Sequence, residues 1–139
     1  MKLPDLYEEK YWLVVFNLFV LTVGVGFFVS TITGNMPMDP GVYGPSIYII
    51  PAEAWSLSII CLSLGTAIGF VVKGRSGAIL IAASSFGSVI IYMAFFVMSL
   101  QAEHGTILSL FSGLMFSPMH SLVMLSAMIE AMKHDRQPK

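Results

Sequence analysis

The stretch AWSLSIICLSLGTAIGFVVKGRSGAILIAASSFGSVIIYMAFFVMSL, residues 54–100, decides the architecture. It consists of two uncharged apolar runs, Ala54 to Val72 and Ser76 to Leu100, broken only by Lys73-Gly74-Arg75. Each run matches the ~20 helical residues needed to cross a hydrocarbon core. Inside lipid a backbone must satisfy its own hydrogen bonds, and a single run can do so only as an α-helix. Neither run alternates polar and apolar residues as a transmembrane barrel strand does. A connection this short places the two helices side by side and antiparallel.

Two further runs of the same kind flank this pair. Upstream, Tyr11 to Ile32 carries no charge; downstream, Gly105 to Ile129 follows a short polar break at Gln101 to His104. Between the first run and the pair lies TGNMPMDPGVYGP, residues 33–45, whose three prolines and three glycines cannot continue a helix. The expected fold is an all-α integral membrane protein, a four-transmembrane-helix antiparallel bundle. Residues 1–139 form one membrane domain, with spans at about 11–32, 50–72, 76–100 and 105–130. No small-x-small cleavage site follows the first run, which is too long for a signal-peptide core, so it is expected to be retained.

Composition agrees. Of 139 residues 56% are hydrophobic and only 11% charged, with a mean hydropathy of +0.82. Soluble domains are about a quarter charged. An ordinary soluble enzyme, a disordered tail and a basic nucleic-acid binder are therefore excluded, and a net charge of −1 offers nucleic acid no attracting field. The lone cysteine, Cys61, sits in an apolar run and reads as a small hydrophobe.

The charges that remain specify orientation. Lys2 and Lys10 precede the first run, Lys73 and Arg75 separate the second from the third, and Lys133, Arg136 and Lys139 follow the fourth. In a four-span chain those segments share one side, whereas residues 33–45 and 101–104 contain no lysine or arginine. The positive-inside rule then places both termini in the cytoplasm, in a plasma or bacterial inner membrane. Tyr7, Tyr11 and Trp12 fall at the inner boundary and Tyr43, Tyr48 and Trp55 at the outer one, the headgroup levels that amphipathic rings prefer.

Helices in lipid associate through small residues that let backbones approach. The fourth run carries Gly105, Ser109, Gly113, Ser117 and Ser121 at a spacing of four; the second carries Cys61, Gly65 and Gly69; the third carries Ala83 and Gly87 beside Ser84 and Ser88. Such stripes serve either packing within one bundle, which is the expectation here, or a self-association face or serine-lined pore.

Few residues carry chemistry. His120 lies deep in the fourth run, two residues after Pro118, which deprives the Leu114 carbonyl of its donor. An ionisable residue at that depth is a functional candidate, for proton relay, ligand contact or gating; a satisfied imidazole bonded to a neighbouring helix is the plainer alternative. Glu53 follows Pro51 at a helix start, where a carboxylate meets the positive end of the helix dipole. With Asp39, Glu103 and His104 it forms a thin polar set on the outer side. Asn17, two turns into the first run, is expected to be interhelical hydrogen-bonding glue. Ten methionines raise copper as an option, since thioethers suit Cu(I). However, Met115 and Met119 are offset by five residues from Met124, Met128 and Met132, so no single stripe forms. No cofactor or metal is expected.

No HExxH, glycine-rich phosphate loop, paired cysteines or nucleophile beside a base is present, so the chain is expected not to be an enzyme. Besides the lipid bilayer, its partners are expected to be other membrane protein subunits or further copies of itself, and no nucleic acid. The leading expectation is an accessory or structural subunit of a larger membrane assembly. The alternatives are a self-associating, holin-like membrane-permeabilising protein, and a small channel or transporter using His120 and the serine face of the fourth helix.

Overall fold

In the computed structural model the described residues are 10–34, 50–72, 74–100 and 107–135; at 10, 98, 99, 107–112 and 135 the description covers backbone only. All the secondary structure among them is helical: α1 (Lys10–Ile32), α2 (Ala52–Val72), α3 (Gly74–Leu100) and α4 (Ile107–Asp135). Each contains a stretch long and apolar enough to span a membrane: Tyr11–Ile32, Ala52–Val72, Gly74–Val97 and Gly113–His134. The four form a helix bundle, as a small membrane protein requires.

The helix ends follow local chemistry. After α1, Gly34 adopts φ 66° and its N–H donates to the Thr31 carbonyl at 3.2 Å, while the Thr33 N–H reaches Val29 at 3.0 Å. This is a left-handed glycine terminator, a conformation that costs a Cβ-bearing residue. Pro51 stands just before α2, and its carbonyl accepts from the N–H groups of Ala54 and Trp55 at 2.9 and 3.2 Å. A proline here sacrifices no donor the helix could have used. Gly74, φ 63°, turns the chain from α2 into α3, with one residue between the helices.

Two boundaries differ from the hydropathy pattern. The third helix starts at Gly74 and takes in Arg75, and the fourth runs on to Asp135. Hydropathy marks where lipid ends, whereas a helix in water continues until something stops it. Near the end of α4 Glu130 pairs with Lys133 at 3.1 Å and lies 3.6 Å from His134, which supports the extra turn.

Neighbouring helices in sequence are those that pack backbone to backbone: α1 on α2, α2 on α3, and α3 on α4. Small residues create the contacts. A Cβ on Gly69 would stand 2.9 Å from the Gly77 carbonyl and 2.6 Å from Ile81, so α2 and α3 touch through their main chains beside the turn. Gly65 faces the Ser84 hydroxyl, Gly87 faces Leu62, Gly113 faces Phe96, and Gly24 faces Ile59 and Ile60. Phe70, Ile81, Val123 and Ala127 form one apolar cluster, with Leu13, Val14 and Ala82 against it, so all four helices meet there.

The interior also holds many polar residues beside apolar ones such as Val20, Ala78 and Tyr92. Buried among the described residues are Asn17, Ser56, Ser63, Thr66, Ser84, Ser85, Ser88, Ser117 and His120. The outside carries the large apolar side chains, such as Leu18, Phe19, Ile68, Phe86, Leu114 and Leu122. A water-soluble protein buries such groups; this distribution is what hydrocarbon surroundings favour.

Candidate functional site

Among the buried polar residues described, His120 is the one that carries an imidazole. It is 3% exposed and lies within a set of rings from three helices. The Phe16 ring of α1 stands 5.1 Å away at 54°, and the Tyr92 ring of α3 stacks on the imidazole at 5.6 Å and 14°. Phe116, one turn before His120 on α4, contacts Tyr92 at 5.2 Å, Phe16 at 5.8 Å and Phe19 at 6.1 Å. Phe16 and His120 reach each other although α1 and α4 are not among the closely packed pairs. Aromatic side chains, rather than backbones, bridge that edge of the bundle.

Neither nitrogen of His120 has a hydrogen-bond partner, and the same holds for the Ser85 hydroxyl, the Asn17 Oδ1 and the Trp55 Nε1. Each such group is expensive, at ~1–3 kcal/mol for lost hydration. Three other inner hydroxyls show the cheaper alternative. Ser56, Thr66 and Ser88 donate back to carbonyls of their own helix at 2.9–3.1 Å. Ser85, fully buried, does not do so.

Asn17 does act between helices: its Nδ2 donates to the Ser63 carbonyl of α2 at 2.9 Å. Gly65, Gly69, Gly87 and Gly113 all lie in helix contacts, and Ser117 is buried. Ala83 is exposed; in α3 the residues 77, 78, 81, 84, 85, 88 and 92 are the ones turned inward. Glu53 occupies the first turn of α2, half-buried, with Ala52 rather than Pro51 as the first helical residue. Trp55, expected at the headgroup boundary, is buried and meets Phe95 edge-on at 6.3 Å. Tyr11 and Trp12 are exposed.

Asp39, Glu103, His104 and Gly105 lie outside the described residues, and Ser109 is described in backbone only. The outer polar set is thus represented by Glu53 alone. On α4 Met115, Met119, Met128 and Met132 are exposed and Met124 is half-buried, so they line the outer surface instead of converging. Among the described residues no three His, Cys, Asp or Glu side chains are grouped to hold a metal ion.

The ring set around His120 was not visible in the sequence. Phe16, Tyr92 and Phe116 are apolar enough to face lipid, and nothing in their spacing assigns them to one site. No family model, curated protein or solved structure matches the chain.

Proposed function

We propose that this chain is a non-enzymatic tetraspan protein of a plasma or bacterial inner membrane, serving as an accessory or structural subunit of a larger membrane assembly. Its helices run antiparallel with both termini cytoplasmic. The order of contacts supports the alternation: Ile81 clusters with Val123 and Ala127, whereas Tyr92, further along α3, meets Phe116 and His120, earlier along α4. The placement of all seven basic residues supports the orientation.

One observation carries the subunit reading. Gly24, Gly65, Gly69, Gly87, Gly113 and Ser117 are used inside the chain, and what faces outward is mostly large and apolar, with a pliable methionine face on α4, although Gly26, Cys61 and Ala83 are also exposed. Methionine suits surfaces that must accommodate a partner. The holin-like alternative rests on small size, several spans, the lack of cargo chemistry, a short charged tail and the small-residue stripes, among them the stripe of spacing four in the last helix. In its described part, Gly113 is against Phe96 and Ser117 is buried, so that stripe is occupied within the molecule. Gentle extraction from the native membrane, followed by native mass measurement, tests the proposal. Other polypeptides at fixed stoichiometry are expected beside the 15.2 kDa chain; a monodisperse particle of this chain alone would overturn it.

A second reading, a small channel or transporter, draws support from the unpartnered nitrogens of His120. Its test is solute or proton flux in liposomes, which His120→Leu should abolish; unchanged flux removes the residue from any such mechanism.

A further inference from the structure

Three edges of the bundle are closed where a glycine lets the helices approach. Gly24 of α1 lies against Ile59 and Ile60 of α2, Gly69 of α2 against the Gly77 carbonyl of α3, and Gly113 of α4 against Phe96 of α3. Asn17 adds a hydrogen bond from α1 to α2 at 2.9 Å. The edge between α1 and α4 is built differently. At its inner end Leu13 and Val14 pack on the cluster of Phe70, Ile81, Val123 and Ala127. Further out, the described contacts across it are between rings: Phe16 with Phe116 and His120, and Phe19 with Phe116.

Exposure along α1 narrows that closure to one side chain. Trp12, Phe16, Phe19 and Val23 recur at spacings of four, three and four, which puts them on one face of the helix. This face looks toward α4, since the rings of Phe16 and Phe19 both meet Phe116. Trp12, Phe19 and Val23 are nevertheless exposed, and of the four only Phe16 is half-buried. Behind it lies His120, 5.1 Å away between ring centroids, 3% exposed and with both nitrogens unpartnered.

In hydrocarbon such a plug is easily withdrawn. A ring that turns outward exchanges neighbouring rings for acyl chains of equal apolarity, so no hydrophobic penalty opposes it. Separating α2 from α3 would instead break main-chain contact at Gly69. We propose that Phe16 is a lateral gate: with Phe116 it closes the α1–α4 edge, and its rotation opens His120 to small molecules dissolved in the lipid phase. The gate concerns access alone, and it holds whether the chain serves as a subunit or as a transporter.

The test uses the full chain in lipid nanodiscs and acylation by diethyl pyrocarbonate, a small neutral reagent that enters lipid and is attacked by an imidazole nitrogen. Rates at each histidine are read by mass mapping of peptides, with the partly exposed His134 as reference. In the parent, His120 should react measurably but more slowly than His134. Phe16→Ala should raise the His120 rate about tenfold, the worth of one or two ring pairs, and leave His134 unchanged. Phe16→Leu, which keeps bulk without the ring, should accelerate His120 less, and it is the deciding variant if Phe16→Ala no longer unfolds cooperatively. Phe95→Ala removes a ring of the same size from its contact with Trp55 and should leave His120 at the parental rate. A parental His120 that does not react, or reacts as fast as His134, overturns the proposal. So does a His120 rate unchanged by loss of the Phe16 ring, or raised equally by Phe95→Ala.

Discussion

Single atoms decide most at the glycines, where the structure separates positions the sequence presents alike. Gly26 and Gly69 both lie within helices, yet a Cβ at Gly26 meets nothing within 4 Å, whereas at Gly69 it would stand 2.9 Å from the Gly77 carbonyl oxygen. Backbone cannot swing aside as a side chain can. Gly26→Ala should therefore gain up to ~1 kcal/mol from helix propensity alone. Gly69→Ala should lose roughly 1–3 kcal/mol through overpacking, visible as a lower midpoint in detergent-induced unfolding. A Gly69→Ala protein as stable as the parent would mean that α2 and α3 do not touch there. Asn17 gives a subtler case. Its Nδ2 bonds to Ser63 across the helix interface while its Oδ1 stays unpaired. Replacement by leucine loses one interhelical bond, of a kind averaging ~0.6 kcal/mol in membranes, and also removes an orphan acceptor. The two effects oppose, so Asn17→Leu should shift stability by less than about 1 kcal/mol in the same assay.

For the helices, much was legible because each span is an unbroken apolar run and each break holds a charge or a proline. The inward faces were legible where small residues recur at helical spacing, which is why Gly65, Gly69, Gly113 and Ser117 are all found in contacts or buried. Ala83 was misleading because α3 carries two adjacent small-residue rows, and spacing alone does not say which row turns inward. Trp55 stays in the first turn of α2, where its position along the span was legible, but its packing against Phe95 was not. The rings about His120 depend on the relative rotation of three helices, a quantity no single span encodes. The turn between α2 and α3 makes its own prediction. Gly74 has φ 63°, a region costing an L-residue about 1–2 kcal/mol. Gly74→Ala should destabilise by that amount although nothing lies within 4 Å of its added Cβ. Gly74→Asn, which tolerates the left-handed region better, should recover part of the loss. Equal stability of all three proteins would show that the conformation is not required.

Across the whole molecule, the apolar exterior implies a particular response to added charge. Leu122 is 66% exposed on α4, and Ile68 and Phe86 are exposed on α2 and α3. In water a lysine at any of these sites would be harmless. In lipid, insertion of a lysine at a helix centre costs ~2.5–3.5 kcal/mol. Leu122→Lys should thus reduce the membrane-inserted fraction in a translocation assay, a result that also separates the bilayer from water as the surrounding medium. Orientation is tested on the same scale. Reporter fusions after Ile32, Val72, Leu100 and Asp135 should read outside, inside, outside, inside, because every lysine and arginine belongs to the segments assigned to the cytoplasm. The determinant can be isolated further. Changing Lys73 and Arg75 to glutamine leaves the inner side marked only by the two ends of the chain. If the helical hairpin depends on its own turn for orientation, that variant should show mixed reporter activity after Val72 while the fusion after Ile32 is unchanged. If the terminal bases dominate, all four fusions should keep the parental pattern. A parental chain that already reports Val72 on the outside would overturn the cytoplasmic placement of both ends.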